Sequence, residues 1–133
     1  MISFAAVNWL AVLVGTILSM ALGALWYGPL FGVLWLNLIG KTEEELEADP
    51  MDYLKTALAA FIGMLALNMV VVSFGAASFL SGMVAGAFIF LGIGATTTYV
   101  YTTFEGPSEN VWLLYVAYHL VVYLTMGGVF AVW

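Results

Sequence analysis

Residues 4 to 27 contain no charged side chain. A run of about 20 apolar residues, rising about 1.5 Å each, crosses the roughly 30 Å hydrocarbon core of a bilayer. Inside that core every backbone N–H and C=O must be paired within the chain, which leaves a helix as the simplest solution. The run therefore reads as a transmembrane helix, and the rest of the sequence repeats the pattern. Further apolar stretches cover about 50–74, 81–104 and 109–133, joined by short turns. The predicted fold is all-α: an integral membrane bundle of four transmembrane helices, with residues 1–133 forming one membrane domain.

Composition leaves no space for a soluble module. Hydrophobic residues make up 65% of the chain and charged residues 8%, against roughly 45–50% and about 25% in soluble domains. Ala21-Leu22-Gly23 resembles a small-x-small cleavage site, but no Lys or Arg precedes it, so the first segment is expected to be retained. The chain has no cysteine, which excludes disulfides, Fe–S clusters and thiol catalysis.

The first span ends in an unusual way. Gly28-Pro29 stands in the apolar run ALWYGPLFGVLW, flanked by Trp26, Tyr27 and Trp35. Proline has no N–H to donate and pushes the residue before it out of the α region. The helix is expected to end or bend sharply between Trp26 and Pro29, where headgroups and water tolerate the break. Phe31, Leu34, Trp35 and Leu38 then recur at helical spacing, so a short interfacial helix is expected over 29–39. Trp9 and Trp26, 17 residues and about 25 Å of helix apart, match the two aromatic belts of a membrane, as do Trp112 and Trp133 in the last span.

Every charged side chain lies in the acidic loop 40–52, at Lys55, or in the turn 105–109. Four spans put both of those loops on one face. Within the first loop Thr42 and Glu45 fit a capping box, and Asp49-Pro50 fits the cap and first position of the next helix. Only Lys41 and Lys55 are basic, so the positive-inside rule puts the acidic loops in the cytoplasm and both termini outside, in a multi-pass protein of the cytoplasmic (inner) membrane. An acidic surface with net charge −6 is no partner for nucleic acid.

Helices associate in lipid where small residues let backbones approach closely. Ala11, Gly15, Ser19 and Gly23 form such a stripe on the first span, and Gly82 and Gly86 another on the third. Their role is packing within the bundle or between copies. An aromatic followed by Gly-Pro recurs in WYGP at 26–29 and FEGP at 104–107, a faint sign of duplication that interface chemistry also explains.

Polar side chains inside the spans are few. Tyr115, His119 and Tyr123 share one face of the fourth span at i+4 spacing, with His119 about 15 Å along the helix from Glu109. The third span carries Thr96, Thr97, Thr98, Tyr99 and Tyr101 at matching depth, and Asn68 lies in the second. A cluster of His119, Tyr115, Tyr123, Thr96, Tyr99 and Asn68 is the candidate site. His119 is expected to face the bundle interior and to bond a hydroxyl or carbonyl of the third span. A lone histidine builds no zinc site, and no catalytic, cofactor or metal site is expected. The expected role is non-catalytic: a membrane protein acting through helix contacts, as an oligomer with itself or as a subunit beside another membrane protein. The competing expectation is a small transporter or pore for a proton or small solute, lined by Thr96–Tyr101 and the Tyr115-His119-Tyr123 stripe.

With these residues in view, the chain resembles a family of small prokaryotic membrane proteins catalogued as domain of unknown function 1761. The resemblance covers nearly the whole chain. It is carried by Gly23-Ala24-Leu25-Trp26-Tyr27-Gly28-Pro29-Leu30-Phe31-Gly32 with Trp35, by Glu105-Gly106, by Tyr118-His119-Leu120, and by Gly127-Gly128 with Trp133. Val33 stands where a basic residue often follows the motif, and the turn after Glu105-Gly106 lacks the basic residue common there. The resemblance implies a four-span fold and brings no activity with it.

Overall fold

Asn8 decides where the first helix begins. Its backbone is extended at φ −85° and ψ 90°, and its side-chain oxygen accepts the Ala11 N–H at 3.0 Å, filling one of the donors an open helix end leaves. The computed structural model describes residues 4–133. In it helix α1 runs Trp9–Leu25 and only a short helical turn, Phe4–Ala6, precedes the cap. The first span therefore starts later than the hydropathy of residues 4 to 27 predicts.

α1 does not stop cleanly. It widens into a π-type turn, Trp26–Leu30, in which Gly28 leaves helical geometry at φ −107° and ψ −108°. Phe31 N–H reaches back to the Trp26 carbonyl at 2.9 Å, so the bond spans five residues where the α pattern spans four. Beyond it α2, Gly32–Ile39, ends at Gly40, whose φ of 67° is open to a residue without Cβ. α2 packs on the last helix rather than standing alone. The expected short helix over 29–39 thus begins a turn later, because Pro29 is held inside the wide turn.

In the acidic loop the Asp49-Pro50 cap forms as expected, while of the Thr42–Glu45 capping box only the Glu45 half forms. Thr42 N–H bonds the Glu45 carboxylate at 2.9 Å, and Asp49 accepts the Met51 N–H at 2.9 Å with Pro50 in the first position of α3, Pro50–Ser73. A reciprocal pair, Ser78 with Ser81, caps α4, Phe79–Ile89. A second π-type turn, Phe90–Ala95, leads into α5, Thr96–Phe104, and after a short turn α6 runs Glu109–Val132. No strand occurs among the described residues, and four helical stretches are long and apolar enough to cross a membrane: Trp9–Leu30, Pro50–Ser73, Phe79–Phe104 and Glu109–Val132.

α4 and α6 make the closest helix pair. A Cβ built on Gly82 would run into the Gly127 carbonyl and come within 2.6 Å of the Ala131 side chain, and one on Gly86 would run into the Tyr123 carbonyl. Backbone lies directly on backbone here, the geometry that small residues permit in lipid. The α1 stripe also faces inward. Ala11 is fully buried, Gly15 leaves space for Met64, Met126 and Phe130, and Gly23 leaves space for the Tyr118 hydroxyl. The aliphatic core, with Val12, Leu67, Val71 and Val122, fills the half of the bundle away from the acidic loops.

Pro29 provides a direct test of the break. Replacing it by Ala restores an N–H for the Leu25 carbonyl and admits α geometry at Gly28. Spin labels at Leu25 and Ile39 should then move apart toward about 21 Å, the length of a straight helix between them, and the 5.0 Å ring contact of Tyr27 with Trp35 should be lost. An unchanged distance in Pro29→Ala would assign the bend to Gly28 alone.

Candidate functional site

Tyr115, His119 and Tyr123 point from α6 at one ring on the third span, Phe90. His119 stacks on Phe90 with centroids 5.6 Å apart and planes at 17°, while Tyr123 and Tyr115 approach the same ring at 5.3 and 6.4 Å. Phe90 opens the second wide turn and is 3% exposed. Within that turn Gly94 leaves the space Phe90 fills, since a Cβ there would lie 2.8 Å from the ring. The wide turn is thus what sets an aromatic against the imidazole.

The hydrogen bond of His119 differs from the expected one. Its Nδ1 lies 3.0 Å from the Tyr115 carbonyl, one turn back on its own helix, and not on a group of the third span. A carbonyl only accepts, so Nδ1 carries the proton. Among the described residues Nε2 has no hydrogen-bond partner.

Tyr118 is the residue that the i+4 stripe misses. Its hydroxyl donates to the Ser19 carbonyl at 2.7 Å, joining α6 to α1. Its ring meets His119 edge-on at 4.5 Å, Tyr27 at 5.6 Å and Trp26 at 6.1 Å. Tyr118 and His119, neighbours in sequence, therefore touch the two wide turns, one each: Tyr118 the turn at Trp26–Leu30 and His119 the turn at Phe90–Ala95. Trp26 packs on Phe31 at 4.6 Å. Its indole N–H is buried and has no hydrogen-bond partner among the described residues.

The other expected members of the cluster lie elsewhere. Thr96 is exposed, and its hydroxyl bonds the Gly92 and Ile93 carbonyls at 2.9 and 3.1 Å. Thr98 does the same to Gly94 and Ala95. These carbonyls belong to the second wide turn, whose altered register lengthens the ladder, and a threonine hydroxyl one turn on is well placed to satisfy them. Tyr99 bonds Glu109 at 3.1 Å across the turn 105–109 and not the imidazole. Asn68, 1% exposed, accepts the Asn8 backbone N–H at 3.2 Å at the charge-free end. Among the described residues no three His, Cys, Asp or Glu side chains come together as metal ligands.

Fold and site together define a class: a small all-helical protein with four helices long and apolar enough to cross a membrane, whose polar groups within those helices largely bond its own backbone. A family profile described as "Protein of unknown function (DUF1761)" matches residues 10–131, and the chain belongs to that family. Comparison with curated proteins and with solved structures finds no match.

Proposed function

We propose that this chain is an integral membrane protein with a non-catalytic role, acting through helix contacts as an oligomer or as an accessory subunit of a membrane complex. The observation that carries the reading is where the polar side chains of the spans go. Tyr118 bonds the Ser19 carbonyl, Asn68 the Asn8 N–H, His119 the Tyr115 carbonyl, and Thr96 and Thr98 the carbonyls of their own turn. The Tyr118 and Asn68 bonds tie α6 and α3 to the first span, and the bonds of His119, Thr96 and Thr98 close on their own helix. The threonine segment and the histidine stripe, which a transport path would need side by side, separate: Thr96 and Thr97 are exposed and Phe90 closes over His119.

Outward contacts have their own support. Gly92 is exposed with nothing within 4 Å of its Cβ position, and exposed Phe88 and Thr96 lie a turn to either side. A second helix can approach closely at such a place. The membrane is the cytoplasmic one, with the acidic loops in the cytoplasm. Because the chain lacks cysteine, labelling of one introduced at Glu47 reads that side, and reaction with an impermeant reagent on intact cells would reverse it. The role itself is tested by native mass measurement after mild-detergent extraction. A multimer or a co-purifying membrane subunit is expected, and a partnerless monomer in every detergent would sink the reading.

A further inference from the structure

At the acidic end of the bundle α5 and α6 part. α4 lies tight on α6, but beyond the second wide turn the α5–α6 contact is sparse, and the space between holds an open cavity of about 240 Å³ lined by Tyr99, Glu109, Trp112 and Leu113. That volume lies below the roughly 300–1,000 Å³ of drug-sized pockets, so it suits a compact group.

Its walls are fixed in place by two hydrogen bonds at their polar ends. The Tyr99 hydroxyl donates to Glu109 Oε1 at 3.1 Å, and the Trp112 indole N–H donates to Thr98 Oγ1 at 3.1 Å. The rings meet at 4.7 Å with planes at 58°, forming two sides of a corner. Aromatic faces attract a cation lying within about 6 Å of the ring centroid, and best when it is partly desolvated. Glu109, which lines the same cavity, has no ion-pair partner among the described residues. Among the described residues the one ion pair is Lys55 with Asp52, and the remaining charged side chain of the α5–α6 turn is Glu105, of the same sign.

We propose that Tyr99, Trp112 and Glu109 form a recognition site for an alkylammonium group at the acidic end of the bundle. Two aromatic walls, an apolar floor at Leu113 and one carboxylate match an ammonium that carries carbon substituents: the rings and Leu113 contact the alkyl groups while Glu109 neutralises the charge. A sodium ion, strongly hydrated, gains little from such walls. The ammonium belongs either to a lipid headgroup at the membrane surface or to a free small cation, and the chemistry recognised is the same.

The test uses the full chain labelled with 5-fluorotryptophan in phosphatidylglycerol nanodiscs, which contain no ammonium. The chain has five tryptophans, and the Trp112 fluorine signal is identified by its loss in Trp112→Phe. Choline should shift that signal saturably, whereas equal concentrations of sodium chloride, or of the neutral isostere 3,3-dimethylbutan-1-ol, should not. Glu109→Gln and Tyr99→Leu should each weaken binding about threefold, the scale of one exposed cation–π or charge contact, with the other tryptophan signals unmoved. Equal shifts from choline and its neutral isostere in the unaltered protein would overturn the site, as would an unsaturable shift or full binding in Glu109→Gln. Phosphatidylethanolamine nanodiscs distinguish the sources. A Trp112 signal already shifted, with choline forced to compete, assigns a lipid headgroup, and unaltered choline binding assigns a free cation.

Discussion

Gly86→Ala should destabilise the bundle by about 3 kcal/mol, the upper end of what overpacking costs, while Gly92→Ala should change stability by less than about 0.5 kcal/mol. The two glycines lie on the same helical stretch of the third span, and what separates them is what a methyl group would meet. At Gly86 it would run into the Tyr123 carbonyl, while at Gly92 nothing lies within 4 Å. A clash with the far end of a methionine is relieved by a rotamer change, but a clash with backbone is relieved only by moving one helix off the other. α4 and α6 then separate along their whole contact, because Gly82 and Gly127 depend on the same approach. Unfolding by sodium dodecyl sulfate titration, followed by far-UV circular dichroism, measures both variants. Equal stability of the two would mean that α4 and α6 do not pack backbone to backbone.

The four spans were legible in the sequence because charge-free runs of bilayer length leave the backbone few other ways to pair its polar groups. Local caps were legible for a similar reason: Asp49-Pro50 sets the start of α3 by covalent geometry and one short bond. Less was visible where several weak preferences compete. Residues 4 to 7 are as apolar as the span that follows, and a single polar Asn8 does not end a charge-free run, so hydropathy placed the start too early. The second wide turn was hidden as well. Gly92 and Gly94 stand in an unbroken apolar run, although a glycine pair followed by threonines also fits a ladder that changes register and needs hydroxyls for its carbonyls.

The candidate site shows the same limit. Depth along a helix predicts that Thr96 and His119 are level, but not which way either side chain turns. Thr96 had a carbonyl available one turn back, and so had His119. Tyr99 was drawn to Glu109 across the turn, a pairing that the ten-residue separation of the two allowed but did not demand. Tyr118 was read as part of the Tyr118-His119-Leu120 motif but not as a member of the site, because it lies off the stripe of Tyr115, His119 and Tyr123. Its signal was chemical: an interior tyrosine hydroxyl facing the small stripe of α1 at Gly23, near two aromatics of the break that needed something to pack on.

Tyr118 is accordingly the side chain whose removal should be felt furthest. Complete loss of an aromatic ring from a full core costs about 3–5 kcal/mol, and Tyr118 is half-buried, so Tyr118→Ala should cost about 2 kcal/mol. Tyr118→Phe should cost about 0.6 kcal/mol, the average for one hydrogen bond between helices in a membrane, because the ring stays and only the bond to the Ser19 carbonyl is lost. The two variants should differ in where the damage appears as well as in its size. The ring holds Trp26 and Tyr27, and through them the non-helical Gly28, against α6. Without it the wide turn has no partner on that side, and amides from Trp26 to Phe31 should exchange with solvent faster in Tyr118→Ala than in Tyr118→Phe. The α4–α6 contact is held by glycines rather than by this ring, so exchange along α4 should stay at its parental rate. Uniformly faster exchange throughout the bundle would refute the local role, since it would mean that Tyr118 supports the whole fold and not the junction between the first break and the last helix.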